Sequence, residues 1–137
     1  MSASTEETLI VVKPDGVRRG LVGEIIGRFE KKGFVARRVQ MLTLTKSQAQ
    51  DFYSVHSGKP FFDELVAFIT SGPVVGVVFS GLDAIATIRR MVGATKSWEA
   101  AAGTIRGDLG LGLTDNTIHA SDSAESFTKE QRAFFGK

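Results

Sequence analysis

The sequence predicts an α+β fold in which helices pack against one antiparallel or mixed sheet. Four short runs rich in β-branched and apolar residues, at 8–13, 34–44, 73–79 and 117–120, read as strands. Between them lie stretches whose apolar residues recur at helical spacing, giving the order β-α-β-α-α-β-α-loop-β-α. At 137 residues the chain has a one-domain length that can bury a real core. With no internal repeat, low-complexity tract or linker, residues 1–137 are expected to form a single domain.

Thr8-Leu9-Ile10-Val11-Val12-Lys13, stopped by Pro14, has the pattern of a buried central strand with Lys13 at its carboxyl end. There Lys13 reads either as a site residue or as a lysine whose charged head snorkels out of the core. Val22, Ile25, Ile26 and Phe29 mark a helix over 20–32, with Gly33 as its C-cap. The second strand, 34–44, places Val35, Val39 and Met41 on one face and Arg38 and Gln40 on the other. Thr45 and Gln48 have capping-box spacing ahead of a short helix that carries Ala49, Phe52 and Tyr53. His56 follows in a polar loop, as a solvated bystander or an anion contact.

Lys59-Pro60-Phe61-Phe62 opens another helix, which draws on Leu65, Val66, Phe68 and Ile69 and ends at Gly72-Pro73. Two adjacent aromatics cannot both face one core, so Phe61 reads either as core or as a partly exposed ring suited to stacking. Residues 73–79 form an almost wholly apolar central strand. Residues 81–91 form a helix with Leu82, Ile85 and Ile88 inward and Arg89 near its end. From 93 to 115 five glycines interrupt a segment without strong periodicity; a loop of that length is usually functional or touches another chain. The last strand is 117–120, and Asp122 with Glu125 has capping-box spacing that starts the closing helix at about Ser123. For this order a split βαβ, ferredoxin-like arrangement is the natural candidate.

Composition narrows the chemistry. The absence of cysteine excludes disulfides and thiolate metal sites, and two histidines with no His-Glu-x-x-His pattern argue against a protein-bound zinc. Residues 1–8 lack the apolar core of a signal peptide and no run is long enough to span a membrane, so the cytoplasm is the expected compartment, with no membrane partner. A net charge of +2, with the basic pairs Arg18-Arg19, Lys31-Lys32, Arg37-Arg38 and Arg89-Arg90 scattered along the chain, does not indicate nucleic-acid binding. Gly58-Lys59 is followed by Pro60 and has Tyr53 at the earlier glycine position, so there is no Walker loop; protein-kinase Asp-Phe-Gly and His-Arg-Asp are also absent.

The chemistry gathers around His119. Arg106 sits in a glycine-flanked loop, Gly103-Thr104-Ile105-Arg106-Gly107-Asp108, where its guanidinium can reach an anion. On the closing helix Phe127, Glu130 and Phe134 fall at i, i+3 and i+7, which puts a carboxylate on the inward stripe. A buried carboxylate needs a partner. The imidazole of His119 is the nearest candidate, and that pairing would free its other ring nitrogen as a nucleophile. An isolated histidine is more often structural; with Arg106, Asn116 and Glu130 the set points to a phosphoryl or acyl acceptor beside an anion site.

Asn116-Thr117-Ile118-His119-Ala120-Ser121-Asp122 resembles the Asn-x-x-His-[Gly/Ala]-Ser-Asp signature of the nucleoside diphosphate kinases. The resemblance runs from about Thr8 to Phe135, through Lys13-Pro14-Asp15-Gly16-Val17 with Arg19-Gly20, Lys59-Pro60-Phe61-Phe62, Ser71-Gly72-Pro73-Val74-Val75 and the loop around Arg106. It implies the ferredoxin-like βαββαβ core with an added helical pair and a long loop. It also implies ping-pong transfer of a terminal phosphoryl group between nucleoside tri- and diphosphates through a phosphohistidine. By the same resemblance His119 is the nucleophile and Glu130 its hydrogen-bond acceptor, with Tyr53 near Lys13 and Ser121 beside the histidine. Arg89, Thr95 and Arg106 match phosphate-binding positions, Lys13 and Asn116 those near the ribose hydroxyl and the reacting oxygen, and Phe61 the base-stacking ring. Mg2+ would come bound to nucleotide phosphates, with no protein ligand.

A homo-oligomer is implied as well, a hexamer or a tetramer built from dimers. Departures fall at Ala120, where glycine is commoner, at Val55, where relatives often have aspartate, in 96–102, which lies at subunit contacts in hexameric relatives, and in a tail ending soon after Phe135. The competing reading is a ferredoxin-like module that binds nucleotides or single-stranded nucleic acid without turnover. It has no need of His119, Arg106 and Glu130 together.

Overall fold

The computed structural model of the protein describes residues 4–112 and 116–136. Strands β1 (Thr5–Val12), β2 (Val35–Leu42), β3 (Val74–Leu82) and β4 (Ile118–Ala120) form one sheet in the order β2-β3-β1-β4. Every neighbouring pair is antiparallel, which is the ferredoxin-like sheet expected from the element order. Helices α1 (Pro14–Arg18) and α2 (Val22–Lys32) follow β1; α3 (Lys46–Phe52) and α4 (Phe62–Ile69) join β2 to β3; α5 (Ala84–Val92) and α6 (Ile105–Leu109) precede β4; α7 (Ala124–Phe135) closes the chain.

The central strands are apolar on both faces because helices cover both. Ile10, Val12, Val75, Val77 and Phe79 pack with Ile25 and Phe29 of α2 and Ile88 and Val92 of α5. Leu9, Val11, Val74 and Val78 pack on the opposite face with Phe52 of α3, Ile69 of α4 and Phe134 of α7. The alternation within β1 and β3 therefore sorts one continuous hydrophobic run into two cores. Gly76 of β3 lets α7 come close: a Cβ there would lie 2.4 Å from the Phe134 ring. That approach fixes the height of α7 above the sheet, and with it the position of Glu130.

Several elements differ from the sequence reading. β2 does not keep Val35, Val39 and Met41 on one face. A bulge between Ala36 and Arg38 sets Val35 opposite Ser80, while Val39 and Met41 stand opposite Val77 and Val75, on the other side of the sheet. All three are about half exposed on this edge strand. Leu82 is not an inward helical residue: it ends β3, paired with Thr5 and 63% exposed, and α5 begins only at Ala84. β1 reaches back to Thr5, and its Glu6 carboxylate accepts the Ile85 N–H at the start of α5. Pro14 ends β1 and also opens α1, where the missing N–H of proline is no loss.

The cap of α7 is Ser123, whose hydroxyl accepts the Ser126 N–H, and not Asp122. Within the segment read as a loop over 93–115 lie a 3-10 turn, Ser97–Glu99, and α6, both too short to leave a periodic signal; residues 113–115 of that segment lie outside the described residues. No helix among the described residues is long and apolar enough to cross a membrane.

Because Phe134 anchors α7, Phe134→Ala is expected to lower unfolding free energy by about 3–5 kcal/mol in urea titrations. A loss under about 1 kcal/mol would mean that α7 is held by something else.

Candidate active site

His119 is placed by strand alternation. It pairs with Val11 across β4 and β1, while its neighbours Ile118 and Ala120 point into the core on the α2–α5 side. His119 consequently faces the layer of α3 and α7. Its Nε2 lies 2.8 Å from Glu130 Oε1, and the same oxygen accepts the Ser121 hydroxyl at 2.6 Å. An ionised carboxylate only accepts, so Nε2 carries a ring hydrogen, and in the neutral imidazole Nδ1 then keeps its lone pair. Among the described residues Nδ1 makes no hydrogen bond, and the side chain is 20% exposed, towards a cleft.

Phe52 and Tyr53 meet the imidazole edge-on, at centroid distances of 4.9 and 6.2 Å. Burial first, and then the Glu130 charge, push the Tyr53 hydroxyl above its ordinary range, so it stays protonated at neutral pH.

Opposite the imidazole the cleft is cationic. Arg106 reaches it from α6, which Thr104 caps by accepting the Gly107 N–H. Gly107 has to be glycine, since a Cβ would fall 2.0 Å from the Ala101 carbonyl oxygen. The guanidinium donates to the carbonyls of Ile118 at 2.7 Å and Gly93 at 3.1 Å. Burial, with Arg89 nearby, pushes its pKa down to about 10, which leaves it charged at neutral pH. Arg89 donates to the Ala120 carbonyl at 3.1 Å. Among the described residues neither guanidinium has a carboxylate partner in a salt bridge. Arg106 is buried and Arg89 exposed, and cationic charge held on these terms favours an incoming anion.

Lys13, just past the end of β1, donates to Asn116 Oδ1 at 2.8 Å, and Asn116 donates to the Thr95 carbonyl at 2.8 Å. Two segments of the chain 103 positions apart are joined by the Lys13 bond.

The cleft holds about 480 Å³ and is lined by Lys13, Tyr53, Phe61, Arg89, Thr95, Arg106, Asn116, His119 and Glu130. Each of these was singled out in the sequence. Ser121, chosen with them, does not line it: the residue is fully buried and acts on Glu130. Phe61 is 44% exposed at the mouth, so of its two readings the structure selects the open ring. His56 is no bystander; it lines the cleft 5.3 Å from the Phe61 ring. Burial and then Lys59 lower its pKa, which favours the neutral imidazole.

Val55, Leu65, Ala120, Asp122 and Ser126 complete the wall. Val55 stood out only as a departure from its relatives and Leu65 only as an apolar helix position; nothing marked Ser126. Asp122 closed the histidine signature, but nothing in the sequence separated lining the cleft from capping a helix. Its carboxyl is held below the usual carboxylate range chiefly by the Ser126 hydroxyl.

A ferredoxin-like sheet with an unprotonated histidine nitrogen beside a cationic cleft defines a class, enzymes that handle phosphoryl groups. Comparison with known proteins narrows it. A family model described as nucleoside diphosphate kinase matches residues 6–137. The chain is 54% identical to a nucleoside diphosphate kinase of Staphylothermus marinus over 132 residues, 96% of this chain and 94% of the relative. It is 52% identical to that of Halalkalibacterium halodurans, covering 95% and 88% of the two chains.

Among solved structures, the Aquifex aeolicus nucleoside diphosphate kinase superposes with a TM-score of 0.93 at 43% identity, covering 96% of each chain. The Halobacterium salinarum enzyme in complex with CDP gives 0.93 at 44% identity, covering 98% of this chain and 90% of that one. The chain belongs to the nucleoside diphosphate kinase family.

The tautomer is directly measurable. Long-range 15N–1H correlation at neutral pH is expected to show the His119 hydrogen on Nε2, and Glu130→Leu is expected to give a mixture of tautomers. A hydrogen on Nδ1 in the unaltered protein would contradict the geometry.

Proposed function

We propose that this nucleoside diphosphate kinase carries the terminal phosphoryl group from a nucleoside triphosphate, typically ATP, to a nucleoside diphosphate on His119, in two half-reactions that share one site. The observation behind this reading is the Glu130 contact, which leaves Nδ1 with its lone pair beside a cleft rimmed by Lys13, Arg89 and Arg106. In the first half-reaction Nδ1 attacks the terminal phosphorus. The bond from phosphorus to the bridging oxygen breaks, and the diphosphate leaves with the electron pair. In the second, a terminal oxygen of the incoming diphosphate attacks the same phosphorus, the P–N bond breaks and its pair returns to Nδ1.

Glu130, with Ser121 bound to it, offsets the positive charge the ring gains on phosphorylation. Arg89, Arg106 and Thr95 hold phosphate oxygens, and forked guanidiniums suit that work. Lys13 and Asn116 serve the ribose hydroxyl and the reacting oxygen. Tyr53 borders the histidine, and Phe61 stacks on the base without reading its hydrogen-bonding edge, so any base is accepted.

Mg2+ fits this donor set as an ion that arrives on the nucleotide. Among the described residues no group of three His, Cys, Asp or Glu could hold a metal. Of the two carboxylates lining the cleft, Glu130 is engaged by His119 and Ser121, and Asp122 accepts the Ser126 hydroxyl. When bound, magnesium neutralises charge on the transferring phosphates.

The same reading takes residues 1–137 as one domain acting in the cytoplasm as a homo-oligomer, a hexamer or a tetramer built from dimers. The half-exposed Val39 and Met41 of edge strand β2, and the exposed Trp98, support association.

Incubation with ATP and magnesium is expected to add one phosphoryl group to the intact mass, which GDP then removes as GTP forms. His119→Ala is expected to abolish both steps while nucleotide still binds; unchanged turnover in that variant would exclude the covalent route. Phe61→Ala is expected to raise KM for purine and pyrimidine nucleotides alike by about tenfold, stacking being worth roughly 1–3 kcal/mol per base. A rise confined to one base would contradict the stacking role.

A further inference from the structure

Between Asn116 and His119 the backbone does something a β-branched residue rarely does. Thr117 has φ +70°, and the Ile118 N–H donates to the Asn116 carbonyl at 2.9 Å, two residues back. Together these define a γ-turn of positive φ, a strained form for any side chain and an outlier for threonine. Thr117 is fully buried. Something must hold the turn, because strain of this kind persists only where its surroundings over-determine it.

What holds it is the start of the chain. The Thr117 N–H donates to Asp15 Oδ2 at 3.1 Å, and the Thr117 carbonyl accepts the Lys13 N–H at 2.8 Å. The turn is packed directly on α1, where a Cβ at Gly16 would come 3.1 Å from the Thr117 carbonyl oxygen. Asp15 itself is 7% exposed. Burial pushes its carboxyl up, against the opposing pull of Lys13 and of backbone N–H groups, first among them that of Thr117. None of the phosphoryl-transfer steps uses this carboxylate. One residue before the strained position lies Asn116, bonded to Lys13; two residues after it lies His119.

We propose that Asp15 is a positioning residue for phosphoryl transfer: by accepting the Thr117 N–H it clamps the γ-turn that sets Asn116 against Lys13 and aims the strand bearing His119. Released, the turn relaxes to negative φ, and Asn116 and His119 lose their mutual placement. The loss falls first on the chemical step, since base stacking by Phe61 lies on another element, while Asn116 and the guanidiniums of Arg89 and Arg106, oriented by β4 carbonyls, share in the displacement. The inference rests on His119 as the phosphoryl carrier.

The test compares the full-length wild type with Asp15→Asn, Asp15→Ala and Asp15→Ala/Thr117→Gly, measuring kcat and KM for ATP-to-GDP transfer alongside thermal unfolding. Asp15→Ala is expected to lower kcat by about 10- to 100-fold and to change KM by a smaller factor. Asp15→Asn keeps an oxygen that can accept the same N–H and is expected to retain most of kcat. Glycine adopts positive φ without a side-chain penalty, so Thr117→Gly is expected to restore several-fold of the kcat lost in Asp15→Ala. A role in stability alone would give no such recovery.

The proposal is overturned if Asp15→Ala keeps wild-type kcat, or if the double variant is no faster than Asp15→Ala. If Asp15→Ala does not fold, a folded, active double variant supports the clamp, and a double variant as unfolded as the single overturns it. A wild type that forms no phosphoenzyme would remove the carrier reading; a working wild type with an unaffected Asp15→Ala removes only this one.

Discussion

The hydrogen bond from His119 Nε2 to Glu130 is the contact on which the rest of the site depends. A neutral imidazole has one donor and one acceptor nitrogen, and a carboxylate at 2.8 Å decides which is which. The decision needs a carboxylate that cannot turn away. Glu130 is held by α7, by the Ser121 hydroxyl on the same oxygen, and by burial that makes any other orientation costly. α7 is in turn held by Phe134, whose ring occupies the space left by Gly76 on β3. A missing side chain in a central strand is thus connected, through one aromatic ring and one helical turn, to the protonation pattern of a ring on the edge strand.

The cationic half of the cleft solves a different problem. Arg89 and Arg106 are oriented by backbone carbonyls of β4 and the adjoining loops, so their positions follow the strand that carries His119. Neutral carbonyls orient a guanidinium without neutralising it, and the charge remains available to phosphate. Burial, and then Arg89, lower the Arg106 pKa without removing its charge at neutral pH. The antiparallel register then brings Lys13, at the end of β1, to the residues just before β4.

How much of this was legible in the sequence depended on the range of the interaction. Continuous apolar runs identified β1 and β3, and helical phase along α7 put Glu130 on the inward face, which was enough to name His119 as its partner. The signature block and its companions supplied Lys13, Phe61, Arg106, Asn116 and His119 of the cleft, and the wider resemblance Tyr53, Arg89 and Thr95. Short elements escaped: five residues of α1 or α6 carry too little periodicity to register. The bulge at Ala36/Arg38 escaped because alternation assumes an unbroken register, and exposure on β2 escaped because pattern cannot tell an edge strand from a central one. The Asp15–Thr117 contact, 102 positions apart, and the positive φ it restrains had no local signal at all. Nor had Val55 and Leu65, which are apolar wall residues only because of where the cleft falls.

The central claim is that Glu130, by fixing the hydrogen on Nε2, makes Nδ1 the atom that takes the phosphoryl group. It is tested most directly on the phosphoenzyme itself, trapped with ATP and magnesium in alkaline buffer and observed by 31P and 15N NMR with 15N-labelled histidine. The account requires 31P–15N coupling to Nδ1 of His119, with hydrogen still on Nε2. Phosphorus on Nε2 would contradict it, because that nitrogen would then have had to give up Glu130 before it could react.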